Sequence, residues 1–298
     1  MLPNFIGLGA PKAATTWLFH CLREHPEIFI AASKEVTFFD YGSIKGRLDT
    51  YEEHFAGAGN AKAIGEFSTR YLSSVRAPER VKQLVPGVKL IAALRQPADQ
   101  IYSHYWHLRR QNFHQNDATS EIPSFEKALA QMEEQLLAPA YYYRNLSNWL
   151  ECFDFSQFHI ILYDDIKKSP ITVVERLYAF LEVDNTFLPS ALTPNQFQMR
   201  VGRVTATEFK EKLHRRIYAF LARYAYQPLK HLLGVRRADR IKSLLRVRET
   251  MDVLFYDKRY PCLSSELRKI VSRRFDADVR QLAKLIGRPL DHWLSEKQ

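Results

Sequence analysis

Phe5-Ile-Gly-Leu-Gly-Ala-Pro-Lys-Ala-Ala-Thr-Thr-Trp-Leu18 is the stretch from which the fold is read. Phe5 to Leu8 is a brief apolar run of the kind that forms a buried strand, and Gly9, Ala10 and Pro11 break it. From Ala13 to Arg23, Trp17, Leu18, Cys21 and Leu22 recur at helical spacing. The stretch therefore reads as strand, tight turn and helix start. A helix N-terminus presents unpaired N–H groups and a partial positive charge, so it suits an anion. Lys12 adds a full charge at its mouth, and Thr15 and Thr16 add hydroxyls. A phosphate or a sulfate is the expected guest; an ordinary strand–helix joint with a solvated lysine is the plain alternative. The spacing is not a dinucleotide fingerprint, because the third glycine position holds Lys12. Nor is it a Walker A loop, where Lys directly precedes Ser or Thr.

Working outward, Val88-Lys-Leu-Ile-Ala-Ala-Leu94 is a near-continuous apolar run, expected as a central parallel strand. It ends at Arg95, and a helix is expected from Ala98 to about Arg110. Ligands in open α/β sheets collect at the carboxyl ends of strands. Arg95 stands at such an end, and Ser103 follows two helical turns on. A guanidinium fork and a hydroxyl suit a phosphate; the alternative is that Arg95 pairs with Asp99 and Ser103 is plain helix surface. A turn and a short strand are expected over His25–Ser33, a strand and turn over Ala63–Tyr71, and a strand at Phe158–Tyr163 that ends in Asp164-Asp165. Glu35 precedes the apolar Val-Thr-Phe-Phe cluster, which sets its carboxylate at the edge of a pocket or at a solvated turn. His107 lies one turn beyond Ser103.

Composition sets the outer bounds. The 298 residues suit one large domain, and 46% apolar residues suffice for its core. A net charge of +10 points to anionic partners. Cys21, Cys152 and Cys262 have no metal or redox spacing, which suggests a reducing compartment. No signal peptide and no membrane-spanning run is read, so a cytoplasmic place is expected. Arg200 to Arg248 holds fourteen Lys or Arg against three Asp or Glu. There Ile217, Phe220, Leu221 and Tyr224 share a helical face, giving a basic helical insert at about 204–258. Such helices lie on anionic membrane faces or simply on a solvated subdomain surface. Gln111 to Pro123 reads as a polar loop, and Leu267 to Ile286 as one helix.

The order Pro-Lys-x-x-Thr-Thr-x-Leu resembles the 5′-phosphosulfate loop of sulfotransferases that use 3′-phosphoadenosine 5′-phosphosulfate (PAPS). Ala14 stands where that family usually has Gly, which fits a residue already helical. Leu-Arg-x-Pro-x-x-x-x-x-Ser-x-Tyr is similar to the family's 3′-phosphate motif at Arg95 and Ser103. Lys34-Glu-Val-Thr-Phe-Phe39 resembles the heparan sulfate N- and O-sulfotransferases, in which the Glu is the proposed base. A His at the offset of His107 also occurs in the N-sulfotransferases as a candidate for acceptor deprotonation. A lysine commonly follows the Glu66 position in those enzymes, but Phe67 stands here, which argues mildly against an acidic glycosaminoglycan acceptor. Asn195, Arg200, Gly202 and Arg203 are the counterparts of the loop that closes over the nucleotide. The Phe275-Asp-Ala-Asp-Val279 and Trp293 region resembles the C-terminal end of bacterial glycan-type sulfotransferases.

The resemblance implies an α/β, P-loop-like parallel sheet of about four or five strands flanked by helices. It implies a PAPS-dependent transfer to a hydroxyl or amine of a glycan, glycolipid or small molecule. Lys12, Ala13, Ala14, Thr15, Thr16, Trp17, Arg95, Ser103, Arg200 and Arg203 would bind the nucleotide. Lys12 and Glu35, or else His107, would do the chemistry, with no metal required. Two rivals differ in class. A nucleotide phosphotransferase predicts dependence on ATP and Mg²⁺. A non-enzymatic basic protein predicts salt-sensitive binding to a membrane or nucleic acid through residues 200–248, and leaves Lys12, Arg95 and Ser103 without a role.

Overall fold

In the computed structural model, residues 1–40, 46–112, 123–192, 203–205 and 256–296 are described, with isolated positions between 213 and 228. The strands of the main sheet are β1 (Phe5–Gly9), β2 (Ile28–Ile30), β3 (Ala63–Phe67), β4 (Lys89–Leu94) and β5 (Phe158–Leu162). The α-helices of the described residues are α1 (Thr15–Glu24), α2 (Leu48–Glu52), α3 (Ala77–Leu84), α4 (Pro97–Asn112), α5 (Phe125–Gln131), α6 (Tyr142–Leu150), α7 (Tyr163–Lys168), α8 (Pro170–Phe180), α9 (Ser265–Arg273) and α10 (Asp276–Ile286).

All five strands run parallel, in the order β2-β3-β1-β4-β5. The chain moves from β1 outward to β2, returns through β3 and continues on the other side with β4. That reversal puts a switch point at β1, where ligands of open α/β sheets gather. Burial on both faces explains why β1 and β3 are apolar almost throughout and closed to solvent. Close packing demands small residues at particular points. A Cβ on Gly7 would lie 2.2 Å from the Phe67 ring, and one on Gly9 only 2.6 Å from the Thr69 carbonyl oxygen. Gly9 also has φ 131°, which other residues rarely adopt.

Two units divide the described chain. The first comprises Met1–Ile101, Met132–Met199 and Leu263–Gln298 and holds the parallel sheet. The apolar side of α1 is buried in it through Trp17, Leu18, Phe19, Cys21 and Leu22. Its C-terminal part buttresses the segment after β4. Gln96 donates to Ser272 Oγ (2.9 Å) and to the Trp293 carbonyl (3.2 Å), and Asp99 pairs with Arg268 at 2.6 Å. Asp278 accepts from the backbone N–H groups of Tyr143 and Arg144, each at 3.0 Å, and so caps α6. Asp164 accepts from the indole of Trp293 at 2.7 Å.

The second unit comprises Tyr102–Gln131 and Arg200–Cys262. Its described part includes an antiparallel pair, β6 (Arg203–Thr205) with β7 (Tyr256–Arg259). The Trp106 and Tyr260 rings stack with centroids 5.9 Å apart, and Tyr105 donates to the Pro123 carbonyl at 2.9 Å. Phe220 and Tyr224 are exposed neighbours, 4.8 Å between centroids.

Several expectations change in detail. The span expected as one helix from Leu267 to Ile286 is two, α9 and α10. They part at Arg274-Phe275, where the Phe275 N–H turns back to the Ser272 carbonyl at 2.8 Å. After α5 the chain breaks at Met132 and continues as a π turn over Glu133–Leu137. The polar loop at 113–122, Asn195, Arg200, Gly202 and nearly all of the 204–258 insert lie outside the described residues.

Candidate donor and transfer site

The turn after β1 carries the first cation. Lys12 has φ 63° and Ala14 φ 67°, so two non-glycine residues take the left-handed conformation in succession around Ala13. Ala14 is thus not within the helix, as the sequence suggested. It occupies the N-cap with ψ 17° and no side-chain cap, a conformation that favours glycine. The turn is held from outside. The Ala10 N–H donates to the Ala93 carbonyl at 2.7 Å, and Gln100, fully buried, donates to the Pro11 carbonyl at 3.0 Å. Gln100 Oε1 is buried with no hydrogen-bond partner among the described residues.

Arg95, at the end of β4, meets this turn directly. Its Nη1 donates to the Lys12 carbonyl at 3.2 Å, and its guanidinium lies 4.5 Å from the centre of the Tyr163 ring. Tyr142 donates to the Arg95 carbonyl at 2.8 Å and fixes the backbone beneath it. The alternative pairing of Arg95 with Asp99 does not form, since Asp99 takes Arg268. Arg95 Nε is buried without a hydrogen-bond partner among the described residues. A donor of that kind, aimed from a strand end, suits an anionic oxygen.

Glu35 comes from the segment after β2. Its N–H donates to the Phe67 carbonyl at 2.9 Å, which adds the segment to the end of β3. Its carboxylate accepts from the Thr69 N–H (2.8 Å) and the Thr69 hydroxyl (2.9 Å). Phe38 and Phe39, buried against Tyr51, anchor the far end of this segment. Glu35 and Thr37 both have left-handed φ, 72° and 55°. Lys34 reaches back to α1: its ammonium donates to Thr15 Oγ1 at 3.2 Å and Thr16 Oγ1 at 3.4 Å, and lies 3.5 Å from Glu35 Oε1. Burial pushes the Lys34 ammonium below its usual range, and the Glu35 charge opposes this.

Below Glu35 lies a second carboxyl. Glu66, fully buried on β3, accepts from Tyr51 (2.7 Å), Ser68 Oγ (2.8 Å) and Tyr71 (3.2 Å). Burial raises it to about 7, against the pull of those hydrogen bonds. Ser68 Oγ also accepts from the Thr37 N–H at 3.0 Å, which ties this network to the Glu35 segment.

Lys12, Thr15, Thr16, Glu35 and Arg95 are therefore gathered in the first unit, at the carboxyl ends of β1, β3 and β4. Thr15 is buried and Thr16 exposed. Trp17 turns its ring into the core and donates to the Ala191 carbonyl at 3.1 Å, which leaves its backbone as the part toward the turn. Ser103 and His107 lie on the stretch of α4 assigned to the second unit, where Ser103 is buried. Arg203 opens β6, opposite Arg259. Phe67 is closed to solvent, its ring filling the space that Gly7 leaves. That position presents nothing to an acceptor. Sequence reading missed Lys34, Thr69 and Tyr163 as contributors. Thr69 and Tyr163 stand just after strands β3 and β5, and the strand-end rule would have flagged them.

The fold and this cluster define an α/β protein with a cationic turn and a helix N-terminus at the switch point of a parallel sheet. Residues 2–216 match the family model described as the sulfotransferase domain, and the chain belongs to that family. It is 25% identical over 99% of its length to bifunctional heparan sulfate N-deacetylase/N-sulfotransferase 4 of Mus musculus, and covers 31% of that protein. Over 61% of its length it is 30% identical to the corresponding enzyme 3 of Homo sapiens, and covers 22% of it. The chain thus spans less than a third of these relatives. A crystal structure of a sulfotransferase from Alicyclobacillus acidocaldarius shares the fold, with TM-score 0.67, 23% identity, and coverage of 98% of this chain and 99% of that one.

Proposed function

We propose that this chain transfers a sulfuryl group from PAPS to an amine or hydroxyl of a glycan. The observation that carries the reading is the meeting of Arg95 with the Lys12 turn at 3.2 Å. A cation at the end of β4 and a cation in the turn after β1 then address one nucleotide that is anionic at both ends. The Nε of Arg95, without a hydrogen-bond partner among the described residues, supplies a donor for its 3′-phosphate, and Ser103 is the proposed companion. The α1 N-terminus with Thr15 and Thr16 receives the 5′-phosphate. Lys12 neutralises the charge that grows on the bridging oxygen as the S–O bond breaks. Glu35, oriented by Thr69, takes the acceptor proton; His107 is the second candidate. The names of the relatives favour a glycan acceptor, and the coarser class of sulfuryl transfer follows from the family.

The test is incubation with ³⁵S-labelled PAPS and N-deacetylated heparosan, a fully N-acetylated control, and cell-envelope extract. Label on a glycan that disappears with Lys12→Ala is the expected result. Absence of label from every acceptor, together with no binding of adenosine 3′,5′-bisphosphate, overturns the reading.

A further inference from the structure

We propose that Lys34 is a second cationic residue of the transfer site, one that grips the sulfuryl group itself between the donor-binding hydroxyls and the base. This rests on the donor reading above and assigns a residue that reading does not use.

The geometry is specific. An ammonium has three donors and no acceptor. Two of those of Lys34 go to Thr15 and Thr16 Oγ1, at 3.2 and 3.4 Å; the third makes only a long contact of 3.5 Å to Glu35 Oε1 and is the one that can turn to a sulfuryl oxygen. Those hydroxyls accept from Lys34, so their own protons are left to point at an anion. Lys34 is not needed to satisfy Glu35, whose two oxygens each take a shorter bond from Thr69. Nor is it a solvated surface charge, as its side chain is only 22% exposed. The segment that carries it is fixed by the Glu35 N–H on the Phe67 carbonyl and by buried Phe38 and Phe39. Burial lowers the proton affinity of this ammonium, against the pull of the Glu35 charge.

The step balances without another reagent. The acceptor N–H or O–H gives its proton to the Glu35 carboxylate, and its lone pair forms the bond to sulfur. The S–O bond to the phosphate breaks, and its electron pair stays on the phosphate oxygen beside Lys12. The charge on the sulfuryl oxygens is met by Lys34, which neither gains nor loses a proton. Because the same ammonium touches Glu35, it also aligns the base with the moving group.

The experiment needs no acceptor. Calorimetric titration compares PAPS with adenosine 3′,5′-bisphosphate, which lacks the sulfuryl group, on wild type, Lys34→Met and Lys34→Gln. Circular dichroism checks that the variants fold. Loss of a charged contact is expected to weaken PAPS about tenfold or more, with the bisphosphate within about threefold of wild type. Lys34→Cys, alkylated with bromoethylamine to rebuild an ammonium, should recover PAPS affinity; alkylated wild type controls for the three native cysteines. Equal weakening of both nucleotides, or no weakening of either, overturns the assignment. Wild type that binds neither nucleotide overturns the donor reading instead, and with it this proposal.

Discussion

Glu66→Gln should change how stability depends on pH, and its size follows from the burial of one carboxyl. Glu66 is closed to solvent and held by three hydroxyls, yet burial still raises it from 4.5 to about 7. Between those values the folded chain keeps a proton that the unfolded chain releases. The contribution of that proton is therefore complete below about 4.5 and is lost as pH rises through about 7. At 1.36 kcal/mol for each pH decade, the loss comes to about 3 kcal/mol. Tyr51 and Tyr71, both pushed upward by burial, stay neutral throughout and remain donors. Glutamine imitates the protonated carboxyl: its carbonyl still accepts from the tyrosines, and its amide can donate to Ser68. Glu66→Gln should then lack this fall and exceed wild type by up to about 3 kcal/mol at pH 8. Urea unfolding of both proteins, followed by circular dichroism from pH 5 to 8.5, measures the difference. Parallel curves, with the same pH slope for both proteins, would refute the argument.

Arg95→Ala should weaken adenosine 3′,5′-bisphosphate by about 1.5–3 kcal/mol, the worth of a charged hydrogen bond, in equilibrium dialysis; unchanged affinity would mean that Arg95 only braces the Lys12 carbonyl. Gly7→Ala should destabilise by about 1–3 kcal/mol, because its Cβ would lie 2.2 Å from the Phe67 ring. Adding Phe67→Leu should recover part of that loss in thermal melts. Ala14→Gly should relieve about 1 kcal/mol of left-handed strain, offset in part by unfolded-state entropy. Its melting temperature should match or exceed that of wild type, and a clear drop would contradict the strain.

Much of this architecture is legible along the chain. The apolar runs at Phe5 and Val88 became β1 and β4, and the break at Gly9 to Pro11 became the turn that carries Lys12. The helix between Leu267 and Ile286 was read as continuous because its apolar spacing persists across Phe275, which is buried. The break there comes from a backbone turn to Ser272 that spacing does not record. Phe67 looked like a missing acceptor contact, yet its ring is the complement of Gly7, a fit between two strands.

Strand, turn, helix start and the chemistry of Lys12, Glu35 and Arg95 are short-range properties, each written within a few residues, and inspection of the chain suffices for them. Which of these groups touch is a different matter. Arg95 meets Lys12 across 83 positions, Lys34 meets Thr15 across 19, and Glu66 draws in Tyr51 across 15. Those meetings follow from the strand order β2-β3-β1-β4-β5, which puts the ends of β3 and β4 on either side of β1. That order is settled by burying both faces of one sheet, a balance struck over the whole unit rather than in any single segment.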